Sequence, residues 1–207
     1  MASEGGEAAA LFGRCRQVLR RDEVARRLVH ASGTGLPALS LLGWATWGEV
    51  ALLFAVGAAA ALVLEAVRLF VGLDWVVFER LTREYEQDNL AGYALYFVSS
   101  AAVAAAFAPQ VALPAILMLT IADPVSGLLG SGELRTAKQQ WVLLATFGVA
   151  TLLAVPFVSS LVAIVGGVAA TVADGVKPVV RGYVVDDNLT IPLVSATAMY
   201  VVLTQFA

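Results

Sequence analysis

Asp123 is the residue that says most about chemistry. It follows Leu119–Thr120–Ile121–Ala122, precedes Pro124 and sits at the edge of a long apolar stretch. Counted back from Gly130 at 1.5 Å per residue, it lies about 10 Å below the end of a helix. A carboxylate at that depth costs a few kcal/mol or more, and such residues mark functional sites by default. The bland alternative is a structural Asp paired with an arginine of a neighbouring helix. Pro124 has no N–H to give the helix, so the turn before it is loosened and carbonyls are freed. Ser126, Gly127, Gly130 and Gly132 follow, small enough to let a ligand or another backbone approach.

A second constellation is Asp186–Asp187–Asn188–Leu189–Thr190–Ile191–Pro192. Pro192 suits a first helical turn, and Asn188 or Thr190 can cap it. Capping needs only one such residue. Three adjacent oxygen-bearing side chains at a membrane surface also suit a hard cation, and Mg²⁺ characteristically takes one or two carboxylates plus substrate phosphates. Asp174 closes the preceding apolar stretch and can join them. Further charged groups are Glu65 with Arg68 at i, i+3 spacing, the segment from Glu79 to Tyr93 with Arg83 and Glu84, and Arg26, Arg27 and His30 ahead of Gly33 and Gly35. Glu65 and Arg68 can simply pair with each other, and a solvated loop accounts equally well for 79–93. Gly127-x4-Gly132 has the spacing of a phosphate-binding loop, but Glu133–Leu134 stands where Lys–Ser/Thr is needed, which excludes it. No GxSxG, HExxH or Cys/His cluster occurs.

The elements that position these groups are apolar. The chain has 207 residues, 59% of them hydrophobic, and a mean hydropathy of +0.82; soluble domains are about 45–50% apolar. Stretches 35–64, 90–119, 141–173 and 189–206 contain no Lys or Arg. Turn signals at Gly48–Glu49, Pro109–Gln110 and Pro156 divide them into segments near 35–47, 50–66, 91–107, 111–129, 141–155, 157–173 and 189–206. The expectation is an all-α polytopic membrane protein of about seven transmembrane helices. Residues 1–31 form a separate N-terminal region, a small acidic tail and then a basic amphipathic helix over 11–31 lying on lipid phosphates. Its basic character excludes a cleavable signal peptide, and the single Cys15 excludes an intrachain disulfide. The net charge of −3 carries no argument for a nucleic-acid partner, and none is expected.

Charge decides how many times the chain crosses. With seven crossings, all thirteen Lys and Arg residues share one face; with 35–64 as one long helix they split six against seven. The positive-inside rule favours the first arrangement. The N-terminus and segments 65–90, 130–140 and 174–188 are then cytoplasmic, and chemistry belongs to the helix ends on that side.

Taken in order, Arg26–Arg27–Leu28–Val29–His30, Glu65-x-x-Arg68, Arg83–Glu84 running into Gly92–Tyr93, Asp123–Pro124–Val125–Ser126–Gly127–Leu128–Leu129–Gly130 and Asp186–Asp187–Asn188–Leu189–Thr190–Ile191–Pro192 resemble the polyprenol (dolichol) kinase family. That family includes phytol kinases and CTP-dependent diacylglycerol kinases and is related to phosphatidate cytidylyltransferases. The resemblance spans about residues 24–206, so that 32–207 reads as a transmembrane kinase-like domain. One departure is visible: where the family carries a Lys–Ser/Thr–x–Glu–Gly-like element, this chain reads Gly132–Glu133–Leu134–Arg135–Thr136–Ala137–Lys138–Gln139–Gln140. The resemblance implies transfer of the γ-phosphoryl of CTP to the hydroxyl of a membrane isoprenoid alcohol, with Mg²⁺ as cofactor. It implies Asp123, Asp186 and Asp187 as metal ligands. Arg27, Arg135 and Lys138 would neutralise phosphate, and Ser126, Gly127, Gly130 and Asn188 would contact nucleotide or phosphate. Asp123, Asp187 or His30 would accept the alcohol proton, with Glu65, Arg68, Arg83 and Glu84 as further site residues. A diacylglycerol acceptor, cytidylyl transfer and a non-catalytic membrane protein are the alternatives.

Overall fold

The computed structural model describes residues 27–28, 30–72, 86–87, 89–130, 139–176, 178–180 and 183–206. Seven helices are found among them: α1 (Gly35–Leu41), α2 (Trp47–Val71), α3 (Gly92–Ala106), α4 (Pro109–Leu129), α5 (Gln140–Ala154), α6 (Ser160–Gly175) and α7 (Asp187–Phe206). They fall on the seven apolar segments. A two-residue antiparallel ladder, β1 (Val179–Val180) with β2 (Tyr183–Val184), joins α6 to α7.

Local chemistry sets the boundaries. Thr46 and Glu49 form a reciprocal capping box at the start of α2: the Thr46 side chain accepts from the Glu49 N–H at 3.3 Å, and Glu49 accepts from the Thr46 N–H at 2.7 Å. Glu49, expected in the turn, therefore lies in the first turn of the helix, and the turn itself falls earlier, around Gly43 at φ 70°. Gly72, also left-handed, ends α2. Pro109 opens α4 at a position where its missing N–H costs nothing.

Two prolines leave holes in helical hydrogen bonding, and α3 fills both. Pro37 cannot donate to the Gly33 carbonyl, which instead accepts from Tyr96 Oη at 2.8 Å. Pro192 cannot donate to the Asn188 carbonyl, which accepts from Ser99 Oγ at 2.7 Å. Tyr96 and Ser99, one turn apart, thereby tie the turn before α1 and the first turn of α7 to α3.

α4 is the central element, with 78% of its most apolar stretch buried against 28% for α2. It packs on α3, α5 and α7, while α7 also packs on α3 and α6, and α2 covers α1 and α3. Glycines permit close approach: a Cβ on Gly166 of α6 would lie 2.7 Å from the Met199 side chain of α7, so that methionine fills the space.

α2 and α4 are long and apolar enough to cross a membrane. The outward side of α2 carries exposed Leu52, Val56, Val63 and Phe70. The remaining helices have 7 to 20 residues. At 1.5 Å per residue the seven-residue α1 extends about 10 Å, well short of a ~30 Å hydrocarbon layer. Residues 27–28 and 30–32 are helical and break at Gly33–Thr34 before α1 begins. They are the C-terminal end of the basic helix expected over 11–31; the rest of that helix lies outside the described residues.

Candidate functional site

The site lies at the end of the bundle where α2, α4 and α6 finish and α3, α5 and α7 begin. Pro124 explains its first component. With no N–H at position 124, α4 does not run as a regular α-helix: Met118–Ala122 forms a π-helical turn, and the Asp123 N–H reaches back five residues to the Met118 carbonyl. Such turns occur preferentially at functional positions. Thr120 in this turn donates to the Ile116 carbonyl at 3.1 Å and accepts from Thr34 Oγ1 at 2.9 Å, which ties the segment before α1 to α4.

Three carboxylates meet there. Asp123 of α4, Asp174 of α6 and Asp187 of α7 each offer an oxygen, and these three atoms lie within 4.8 Å of one another. The residues are 7%, 1% and 2% exposed. Three acids so close and so buried repel one another, and burial penalises each charge further, so the cluster demands compensating positive charge or protons. The donors are all hard oxygens. Ligands about 2.1 Å from Mg²⁺ sit about 3.0 Å apart when adjacent and about 4.2 Å apart when opposite, which the observed spacing allows. The residues therefore fit a magnesium-type ion.

The surroundings are ordered around this cluster. Ser126 Oγ, fully buried, donates to Asp174 Oδ2 at 2.7 Å. His30 Nδ1 lies 3.7 Å from Asp123 Oδ2, an ion pair when the imidazole is protonated. The Arg27 guanidinium lies against Gly127, occupying the space where a Cβ would be, one turn beyond Asp123. The N-terminal segment thus delivers a cation and an imidazole to the acidic centre, rather than directing its last arginine to lipid phosphates.

The placement changes several expected roles. Asp186, expected as a metal ligand, is not in the three-carboxylate cluster; Asp174 takes that place. Asp186 Oδ1 accepts from Asn188 N at 2.9 Å and Nδ2 at 2.6 Å. Asp186 therefore caps α7, the role expected of Asn188 or Thr190. Asp186 stands just before α7 and turns its carboxylate onto the Asn188 N–H, whereas Asp187, in the first turn, reaches the cluster. Ser126 and Asn188, expected on nucleotide oxygens, hydrogen-bond to carboxylates, Ser126 to Asp174 and Asn188 to Asp186. Gly130 donates its N–H to the Ser126 carbonyl at the end of α4. Arg83, Glu84, Arg135 and Lys138 lie outside the described residues.

Glu65 and Arg68 do pair, through Arg68 Nε and Nη2 to the two Glu65 oxygens at 3.1 and 2.7 Å. They also do more. Arg68 donates to the carbonyls of Glu86, Gln87 and Asn89, while Glu65 accepts from the Ala91 N–H at 2.9 Å and Tyr93 Oη at 2.5 Å. Above α7, the Tyr183 phenol is raised above its ordinary pKa, first by burial and then by the negative charges of Asp186 and Glu86. Sequence reasoning missed the supporting hydroxyls of Ser99, Tyr96 and Thr120; for Ser99 and Tyr96 the only signal was the proline four residues beyond the carbonyl each serves.

This fold and site define a helical bundle with a buried, oxygen-only acidic centre at one end. Comparison with known protein families, with curated proteins and with solved structures finds no match.

Proposed function

We propose that the protein is a membrane-embedded lipid kinase that transfers the γ-phosphoryl of CTP to the hydroxyl of an isoprenoid alcohol. The observation that carries this reading is the meeting of Asp123, Asp174 and Asp187 from three helices beside Arg27. The resemblance of the sequence motifs to polyprenol kinases names the donor and acceptor. Arg27, ahead of the short α1, lies against Gly127, and Arg68, at the end of α2, lies beside the start of α3 at that same end of the bundle; all thirteen basic residues then fit one side, which supports a cytoplasmic N-terminus and a site at the cytoplasmic leaflet.

Phosphoryl transfer is chiefly positioning and electrostatic stabilisation. Asp123, Asp174 and Asp187 would hold Mg²⁺, which when bound supplies charge neutralisation to phosphate oxygens. Arg27 neutralises phosphate charge from the other side. Ser126 fixes Asp174, and the Asp186 cap fixes the first turn of α7 so that Asp187 faces inward. His30 beside Asp123 accepts the proton of the alcohol. The acceptor is anchored by its tail in the bilayer, so its hydroxyl meets the donor at the interface.

The test uses purified full-length protein in lipid nanodiscs with γ-labelled CTP, Mg²⁺ and a panel of isoprenoid alcohols and diacylglycerol. Label should move to the alcohol, and the transfer should vanish with EDTA and in Asp123→Asn. Retained turnover in Asp123→Asn overturns the assignment. Release of pyrophosphate with formation of a CDP-lipid would make the chain a cytidylyltransferase instead.

A further inference from the structure

The Glu65–Arg68 pair is built differently from an ordinary i, i+3 salt bridge. Glu65 is 1% exposed. Its two oxygens accept from Arg68, from the Ala91 N–H and from Tyr93 Oη. Arg68 also donates to three carbonyls of one short segment, to Gln87 from Nη1 at 2.9 Å and to Glu86 and Asn89 from Nη2 at 3.1 and 2.5 Å, the two hydrogens of Nη2 being shared among three acceptors with Glu65. A lysine could not make this pattern, because only the planar fork presents five donors in fixed directions.

The segment so gripped leads to the acidic centre. Ala91 is the residue at which α3 begins, and Glu65 holds its N–H. At Gly92 an added Cβ would lie 2.8 Å from Asn188 Nδ2 and 3.5 Å from Glu86 Oε1, so the Asn188 side chain lies directly over the α3 N-terminus beside Glu86. Seven residues on, Ser99 Oγ holds the Asn188 carbonyl. Asn188 is the neighbour of Asp187, and its own N–H and side chain are bound to Asp186. The first turn of α7 is thus seated on α3, and the start of α3 is seated on the end of α2.

We propose that Glu65 and Arg68 are positioning residues for the carboxylate centre: by clamping Glu86, Gln87, Asn89 and Ala91 at the start of α3, they fix the seat of Asn188 and so the direction of Asp187. Neither residue belongs to the three-carboxylate cluster, and their effect passes through Asn188. The inference rests on the metal-dependent reading above.

The experiment measures Mn²⁺ binding by electron paramagnetic resonance on the full chain in nanodiscs. Hydrogen exchange of residues 86–95 and 186–192 is followed in parallel. Mn²⁺ is used alone, so no lipid substrate or nucleotide is needed. Arg68→Lys keeps the charge and removes the fork. It should weaken Mn²⁺ binding about tenfold, the lower end of the range for residues that orient metal ligands, and speed exchange at both segments. Tyr93→Phe removes one contact to Glu65 and should give a smaller change in the same direction, which keeps the idea testable where Arg68→Lys misfolds. Wild-type Mn²⁺ affinity in both variants, with exchange at 186–192 unchanged, overturns the inference and leaves the kinase reading standing. Failure of wild type to bind Mn²⁺ overturns both. Mn²⁺ binding that weakens as expected in a protein that transfers no phosphoryl group supports the clamp and rejects the kinase.

Discussion

Ser126→Ala isolates one contact of the acidic centre. The Ser126 hydroxyl is fully buried and donates to Asp174 Oδ2 at 2.7 Å. Removing one oxygen leaves almost no void, so the effect should be electrostatic rather than a packing loss. A hydrogen bond to a charged group contributes about 1.5–3 kcal/mol. At about 1.4 kcal/mol per factor of ten, that is roughly a 10- to 150-fold effect. It overlaps the roughly 10- to 100-fold cost of losing a group that orients a metal ligand. The half-saturating Mg²⁺ concentration should therefore rise at least tenfold, while the maximal rate at saturating Mg²⁺ falls less. The assay is a Mg²⁺ titration of phosphoryl transfer, backed by Mn²⁺ binding without substrate. A half-saturating Mg²⁺ concentration unchanged within twofold would refute the role given to Ser126 and the claim that Asp174 belongs to the metal-binding set.

Other perturbations probe neighbouring contacts. Gly127→Ala places a methyl where the Arg27 guanidinium lies, so its loss of kcat/KM for CTP should match that of Arg27→Ala, with the double variant no worse than either single one. Asp174→Asn should abolish turnover as completely as Asp123→Asn, while Asp186→Asn, which can still cap α7, should keep at least a tenth of wild-type activity; the reverse ranking would restore Asp186 as the ligand. Ser99→Ala leaves the buried Asn188 carbonyl without its donor and should cost about 1–3 kcal/mol of stability, read as a lowered Tm in thermal unfolding of the nanodisc-embedded protein.

The apolar segments were legible in the sequence because a helix with no polar face has few other ways to be stable, and the observed helices begin and end within a few residues of the Pro, Gly and charged punctuation. The first segment was read least well. Glu49 looked like a turn residue because it is the lone charge in an apolar run, yet Thr46 three residues earlier makes it half of a capping box. At the site, Asp123 was legible from its cost in an apolar environment and from Pro124 beside it. Choosing between Asp186 and Asp187 was not, since adjacent residues differ only in where the helix begins, and that is settled by which carboxylate reaches the Asn188 N–H. Asp174 was visible only as a residue able to join, because its depth depends on how α6 packs against α4. The partners of the Gly33 and Asn188 carbonyls were invisible for a related reason: proline announces that a carbonyl is open but does not say which helix will come to close it.

A π turn is an α-helix with one residue too many, and that surplus residue has a consequence for how this site can change. Wound instead as ordinary α-helix, Met118–Ala122 would turn everything after it by about 100°. Shortening the turn by a single residue is a milder change: five residues of a π turn sweep nearly the angle that four sweep in an α-helix, so Asp123, Ser126 and Gly127 would keep their bearing while the turn tightens to ordinary helical hydrogen bonding. A one-residue deletion within 118–122 should therefore disturb the acidic centre less than one between Asp123 and Gly127. No scan of substitutions would reveal this.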